Sequence, residues 1–412
     1  MSARRTMRIA LAFVGLVVAA GFATGQELIQ YFLSFGAIGI LGALISGVVM
    51  TVAGAVVLQA GSYFLAKDHR KVFRSVSHPV VSVFLDVAVT LTLFSVGFVM
   101  LAGSGATLEQ QFGLPAWVGS LIMVALVMLT GLLDVDKVSR IISSVAPVII
   151  LAVLVAFIWS LAHVPGDLGA LSQLGRTQES PVHPWWVSAL NYTGMNLMVG
   201  VSMSLVIGGA EPSPKEAGWG GLIGGLIFTA LLLMNATTLF FTLDEVGDAQ
   251  VPVLKVFDHI SPVFSTIMVW IIFLMVYNTA IGMFYALGRR LTAAHPRRYP
   301  WVFLTVCAIG YAVSFVGFGT LMSSVYPVIG YVGLVLIAVL VLWWWPRRQR
   351  IGSEDSRRRR IGALLRVKQD RRRRFSRGQQ DRLEALLEES ETEPAAVTSA
   401  LEIQNRQHDE RG

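Results

Sequence analysis

The 412-residue chain is 54% hydrophobic and only 14% charged, where soluble domains average about 25% charged residues. Its net charge of +7 is a property of one end, because 17 of the 33 Lys and Arg residues lie from Arg347 onward. Between Met7 and Pro346, apolar runs of roughly 20 residues succeed one another with short gaps, the pattern of repeated spanning helices, which leaves no room for a soluble catalytic domain outside the membrane.

Ten spans are predicted, at 7–34, 36–66, 79–108, 114–133, 138–162, 185–210, 217–243, 262–288, 299–318 and 322–345. All are read as helices, since open strands cannot satisfy their backbone in lipid, and no alternating segments suggest a barrel. The start, "SARRTMRIALAFVGLVVAAGFATG", has the basic and apolar regions of a signal peptide. The apolar run resumes at Leu28 and continues to Phe35, so this segment is taken as a retained span.

The first span contains "GFATGQELIQYF" at 21–32. A continuous helix of about 28 residues would measure about 42 Å against a hydrocarbon core of about 30 Å, so it must tilt or break. Glycine is costly inside a helix, which places the discontinuity at Gly21–Gly25, near the midplane. Freed backbone groups there are expensive in lipid unless something binds them. Thr24, Gln26 and Glu27 follow at a depth where an ionisable side chain normally faces a cavity.

Further along, Asp86 lies early in the third span and is read as a gate, a proton group or an interface residue. The sixth span, "WWVSALNYTGMNLMVGVSMSLVIGGA", carries a polar island of Asn191, Tyr192, Thr193, Gly194 and Asn196. Two interrupted segments in corresponding halves of a membrane protein point to a transporter site. Asn235 in the seventh span reads as packing glue between helices. Asn278 and Thr279 of "VYNTAIG" in the eighth span could offer oxygens to a hard cation such as Na⁺, against the alternative of interhelical hydrogen bonding. Cys307 stands alone inside an apolar run, which excludes an intrachain disulfide.

With the N-terminus inside, the inner loops carry 14 Lys and Arg residues, among them Arg4, Arg70, Lys137, Arg140, Lys215 and Arg290, and the outer loops only Arg176 and Lys255. This asymmetry predicts cytoplasmic termini. The outer loop 244–258 is acidic, with Asp244, Glu245, Asp248 and Asp258. Five spans per half, 7–162 and 185–346, must run in opposite senses, so any repeat is inverted. The 1–346 unit is expected to close on itself. The tail 347–412, basic and then acidic, is too poor in apolar residues for a core and is expected to be mostly disordered, with a short helix near 378–390. "WWW" at 343–345 fits an interfacial anchor, and the arginine blocks fit anionic lipid headgroups rather than nucleic acid.

The stretch "AAGFATGQELIQYF" resembles the first-helix motif of the YkvI-like membrane proteins, a bacterial branch of the amino acid–polyamine–cation superfamily with the LeuT-type fold. The resemblance is specific at Gly21–Phe32 and loose over 7–345. It implies a 5+5 inverted repeat, broken first and sixth helices and a central substrate site, but no established substrate. Residue by residue, Gly21, Phe22, Ala23, Thr24, Gly25 and Glu27 match the broken first helix. Asn191–Asn196 fall where the sixth should break, and Asn278 and Thr279 fall near the sodium-binding stretch of sodium-coupled relatives. Relatives tend to have glycine where this chain has Ala19. Some proton-coupled relatives use a lysine in the fifth helix, and its absence between Ile141 and Ala162 favours Na⁺ over H⁺.

The expected molecule is therefore an all-α integral membrane protein of the bacterial cell membrane, with no enzyme activity and no cofactor. It is read as a cation-coupled secondary transporter of a small polar solute, an amino acid or amine. Seven scattered histidines and no HExxH or triad motif argue against an enzyme. The alternative is a channel, or a scaffold acting through the basic tail.

Overall fold

Apolar stretches closed by serine–proline or histidine–proline pairs set the main helices. Ser213 and Ser261 accept the N–H groups of Glu216 and Val263, and Pro214 and Pro262 follow at the first helical position, where a missing N–H costs nothing. A computed structural model of the chain describes residues 3–18, 20–132, 146–369 and 375–409. Ala19, Lys137, Arg140, residues 138–145 of the predicted fifth span and the arginines at 371–374 lie outside the described residues.

Among the described residues there is no strand. The first span is three helices, α1 (Ala3–Val17), α2 (Ala20–Thr24) and α3 (Gln26–Tyr31). The second to fifth are α4 (Ile38–Phe64), α6 (Pro79–Phe112), α7 (Ala116–Gly131) and α8 (Ala146–Ala162), with α5 (His69–Val76) in the loop after α4. After the short α9 (Leu168–Gly175), the second half follows as α10 (Trp185–Gly209), α11 (Pro214–Phe241), α14 (Pro262–Leu291), α15 (Tyr299–Ser314) and α16 (Phe318–Gln369). Two short helices, α12 (Leu243–Val246) and α13 (Pro252–Ile260), separate α11 from α14. Six of these helices are long and apolar enough to cross a membrane alone, and among the described residues a helix falls within each of the ten expected spans.

Helices in corresponding places of the two halves pack on each other: α1 on α10, α4 on α11, α6 on α14 and α7 on α15. That pairing is the arrangement an inverted 5+5 repeat predicts.

Two expectations need correction. The sixth span is not broken: α10 runs unbroken for 25 residues, and its polar side chains serve packing instead. Asn191 Nδ2 donates to the Pro327 carbonyl at 2.9 Å, the Thr193 and Ser46 hydroxyls share a hydrogen bond of 2.8 Å, and a Cβ on Gly194 or Gly333 would collide with the facing backbone of α16 or α10. Small residues let the two helices approach this closely.

The described residues of the tail are helical rather than disordered. The tenth span continues past Pro346 as one 52-residue helix, and α17 (Arg377–Glu388) and α18 (Pro394–Asp409) fold back on it. Ile361, Leu365, Leu383, Val397 and Leu401 bury against Leu65 at the end of α4. The tail's few apolar residues suffice because its three helices cover one another and Leu65 of the membrane unit completes the cluster.

Candidate functional site

The interruption lies on both sides of α2 rather than through it. Gly21, Phe22, Ala23 and Thr24 form one helical turn, held by Thr24 Oγ1 donating to Gly21 O at 2.8 Å and by Gly25 N to the same carbonyl at 3.3 Å. The helix stops at Gly25, whose φ of 82° lies in the left-handed region that glycine alone visits without strain. The freed carbonyl of Phe22 accepts from Asn235 Nδ2 at 3.2 Å, so the residue read as packing glue is the group that pays for the break.

Glu27, on the first turn of α3, is only 4% exposed. Its side chain folds back over α2, where a Cβ on Gly21 would overlap Oε1. This explains the glycine at 21: its missing side chain is the space the carboxyl occupies. Tyr192 on α10 faces the same carboxyl without closing a hydrogen bond of normal geometry. Tyr31 and Tyr326 lie within electrostatic reach of it. The Tyr31 and Tyr192 ring centroids are 5.7 Å apart, and Phe32 meets Tyr192 edge-on at 4.9 Å.

Five buried polar atoms here have no protein hydrogen-bond partner: Gln26 Oε1, Glu27 Oε2, Gln30 Oε1, Tyr31 Oη and Tyr192 Oη. Buried polar groups are normally paired, and such a cluster on one broken helix and the helix facing it marks a place built for a ligand. Asn196 stands beside Tyr192 and donates to its carbonyl at 3.0 Å.

Of the predicted residues, the structure thus brings together Gly21, Thr24, Gly25 and Glu27 with Tyr192 and Asn196. Phe22 packs on Phe228 at 6.1 Å and Ala23 is buried. Asn191, Thr193 and Gly194 point to α16 and α4 instead. Asn278 and Thr279 are placed differently from one another. Asn278 is exposed, and Thr279 Oγ1 donates to Met275 O of its own helix at 3.1 Å, because α14 turns Tyr277, Ala280 and Ile281 inward rather than these two. Sequence reasoning missed Gln30, Tyr31 and Tyr326; a tyrosine directly before Pro327 within an apolar run was the available signal.

A cavity of about 400 Å³ lies at the end of α6 remote from the tail, lined by Glu109, Gln110, Asp248, Leu254, Lys255 and Asp258. Gln110 holds one wall by exchanging two 2.9 Å hydrogen bonds with the Val251 backbone. Val253, next to Leu254, packs against Gly25, so the cavity stands directly over the break.

On the opposite side, Asp86 is tied to Arg290 Nη2 at 2.5 Å and to Arg70 Nε at 3.2 Å. His69 Nε2 accepts from Arg290 Nη1 at 2.9 Å, and its Nδ1 lies 3.1 Å from Ser202 Oγ on α10. Burial, assisted by Arg290, holds this imidazole below its usual pKa, against the pull of Asp68 and Asp86. The network joins α5, α6, α10 and α14.

A split first helix, paired halves and a buried polar site at the split define a multi-pass membrane protein of the LeuT-type fold. Among solved structures, the chain resembles MhsT in complex with L-phenylalanine (TM-score 0.55, 14% identity, 97% of this chain and 98% of that one). It also resembles Mhp1, a nucleobase-cation-symport-1 family transporter, in its inward-facing conformation (TM-score 0.53, 14% identity, 84% and 77%). No protein-family model matches. The chain is 30% identical over 340 residues to the uncharacterized membrane protein YkvI of Bacillus subtilis, covering 81% of this chain and 94% of that protein. It is 25% identical over 343 residues to the uncharacterized protein YyaD of the same organism (82% and 97%). The chain belongs to the YkvI family of membrane proteins.

Proposed function

We propose that the protein is a secondary active transporter of the amino acid–polyamine–cation superfamily. It moves a small polar solute bearing a protonated nitrogen, an amine or amino acid, by alternating access coupled to Na⁺ or H⁺. The observation that carries this reading is the Glu27 carboxyl, buried at the break with Oε2 unpartnered among Tyr31, Tyr192 and Tyr326. A buried carboxylate suits an ammonium group, which would pair with it by charge and hydrogen bond, and an anion buried without a partner is costly until one arrives. The cavity beside the break carries three carboxylates, Glu109, Asp248 and Asp258, against one cation, Lys255, an excess that would concentrate a cationic solute there. MhsT and Mhp1, whose fold it shares, are known with L-phenylalanine and as a symport-family transporter respectively, which supports a carrier.

The setting proposed is the bacterial cell membrane with both termini cytoplasmic. The paired stacks of Arg347 on Trp343 and Arg348 on Trp345 would then lie at an inner leaflet of anionic lipid.

The test is uptake into proteoliposomes, run with amines and amino acids under imposed Na⁺ or H⁺ gradients. Gradient-driven accumulation that a competing amine abolishes supports the proposal. Currents far above carrier turnover would replace it with a channel.

A further inference from the structure

The tail meets the membrane unit through two opposite charges, one turn apart on α16, set against the ends of two different helices. Arg358 is 1% exposed. Its Nη1 donates to Ser62 O at 2.8 Å and its Nη2 to Tyr63 O at 2.7 Å, both among the last carbonyls of α4, and Nη1 also reaches Pro212 O at 3.3 Å. A cation belongs at a helix C-terminus, where carbonyls lack intrahelical partners. Asp355, fully buried, accepts from Ser213 Oγ at 2.6 Å and from Lys215 N at 3.2 Å. These groups form the N-terminus of α11, where an anion belongs.

The rest of the tail locks this key in place. Glu354 Oε1 accepts from Arg358 Nε at 2.8 Å and from Ser390 Oγ at 2.7 Å. Thr392 Oγ1 accepts from Arg358 Nη2 at 2.9 Å and donates to Tyr63 O at 3.0 Å. Gln404 Nε2 donates to Glu211 Oε1 at 3.1 Å in the loop between α10 and α11. The first turn of α11 in turn holds α1, through Glu216 and Arg5 at 3.8 Å. Beneath α1, on α10, lie Gly200, in contact with Leu16, and the buried Ser204.

From this geometry we infer that the folded tail is a built-in clamp, which holds the ends of α4, α10 and α11, and through them α1, closed on the tail side. That side opens only when Arg358 and Asp355 leave their helix ends. The tail is thus a control element for the conformational change and not a passive membrane anchor.

The experiment is alkylation of Ser204→Cys in a Cys307→Ala background, in the full chain, by an impermeant maleimide presented on the tail side. Limited proteolysis near Glu389 reads tail release, and Ala106→Cys, labelled by the same reagent presented on the opposite side, serves as the control. Arg358→Ala should speed labelling at position 204 by about tenfold or more, as expected for loss of a buried charged hydrogen-bond set. Arg358→Lys should fall between, since it keeps the charge but loses the fork. Should Arg358→Ala fail to fold, Asp355→Asn leaves Arg358 in place and should give a smaller rise. A released tail with unchanged labelling at position 204 would overturn the clamp. So would an equal rise at position 106, which would mean general loosening, or a tail that stays protected in both variants. The labelling readout needs no solute, so it stands apart from the transport reading.

Discussion

The carboxyl of Glu27 occupies the volume that a side chain at Gly21 would need. Residues six apart in sequence meet across the left-handed residue Gly25, and the motif "GFATGQE" is read as one device: a helical turn, a left-handed bend and a carboxylate laid over the turn.

Gly21→Ala therefore tests the device without touching its charge. The added methyl must push the carboxyl off α2, and overpacking of this kind costs about 1–3 kcal/mol. The expected outcome is normal membrane insertion, a lower melting temperature and loss of solute-induced thermal stabilisation. A methyl at Gly200, which meets Leu16 only at ordinary contact distance, should change none of these, and a Gly21→Ala protein that behaves the same way would remove the steric argument.

Glu27→Gln keeps the shape and removes the charge. Because the carboxyl is buried without a basic partner, the variant is expected to be as stable as the native protein or more so. Transport of a cationic solute should fall at least tenfold, since a charged hydrogen bond contributes about 1.5–3 kcal/mol. Stability and transport moving in opposite directions is the signature to look for; native rates of uptake would reduce Glu27 to a packing residue.

Asn235→Leu removes the donor that satisfies the Phe22 carbonyl. An unpaired buried acceptor costs about 1–3 kcal/mol, and here the cost falls on the break itself. The melting temperature should drop, and hydrogen exchange at Thr24 and Gly25 should rise more than elsewhere in α1–α3.

The spans, their number and the break were legible because they depend on local properties: apolar length, glycine placement and the expense of a carboxylate in lipid. The partition of the polar island was not. Asn191, Tyr192 and Thr193 are adjacent in sequence, but helical spacing sends them to α16, to Glu27 and to α4 in turn, and only the neighbours decide which of them faces a site. Asn278 and Thr279 misled for the same reason. The tail misled because its cover is nonlocal: Arg358 looks like one of four consecutive arginines, and nothing nearby shows that α4 ends where it can be received.

Replacing Asn278 or Thr279 by Ala should accordingly leave any Na⁺ dependence of uptake unchanged within about twofold, as for surface substitutions. The Asn278 amide is exposed and the Thr279 hydroxyl is bonded within its own helix. A large rise in the Na⁺ concentration needed for half-maximal uptake in Thr279→Ala would restore the cation site.

The tail should also respond to pH through Glu211. Burial, reinforced by Glu216, raises this carboxyl from the usual 4.5 to about 7, against the opposing effects of Arg5, the Ser213 backbone and Arg8. An acid whose native pKa lies above its unfolded value binds more protons when folded. Its contribution to stability is fully present below about pH 4.5 and is lost as pH rises through about 7. Since Glu211 accepts from Gln404 on α18, the loss falls on tail docking. Protease protection of the tail should be stronger at pH 6 than at pH 8. Glu211→Gln keeps an acceptor for Gln404 and cannot ionise, so it should hold the protection seen at pH 6 across the range. If the variant kept the native pH dependence, the titrating group would have to be sought elsewhere on the tail's contact surface.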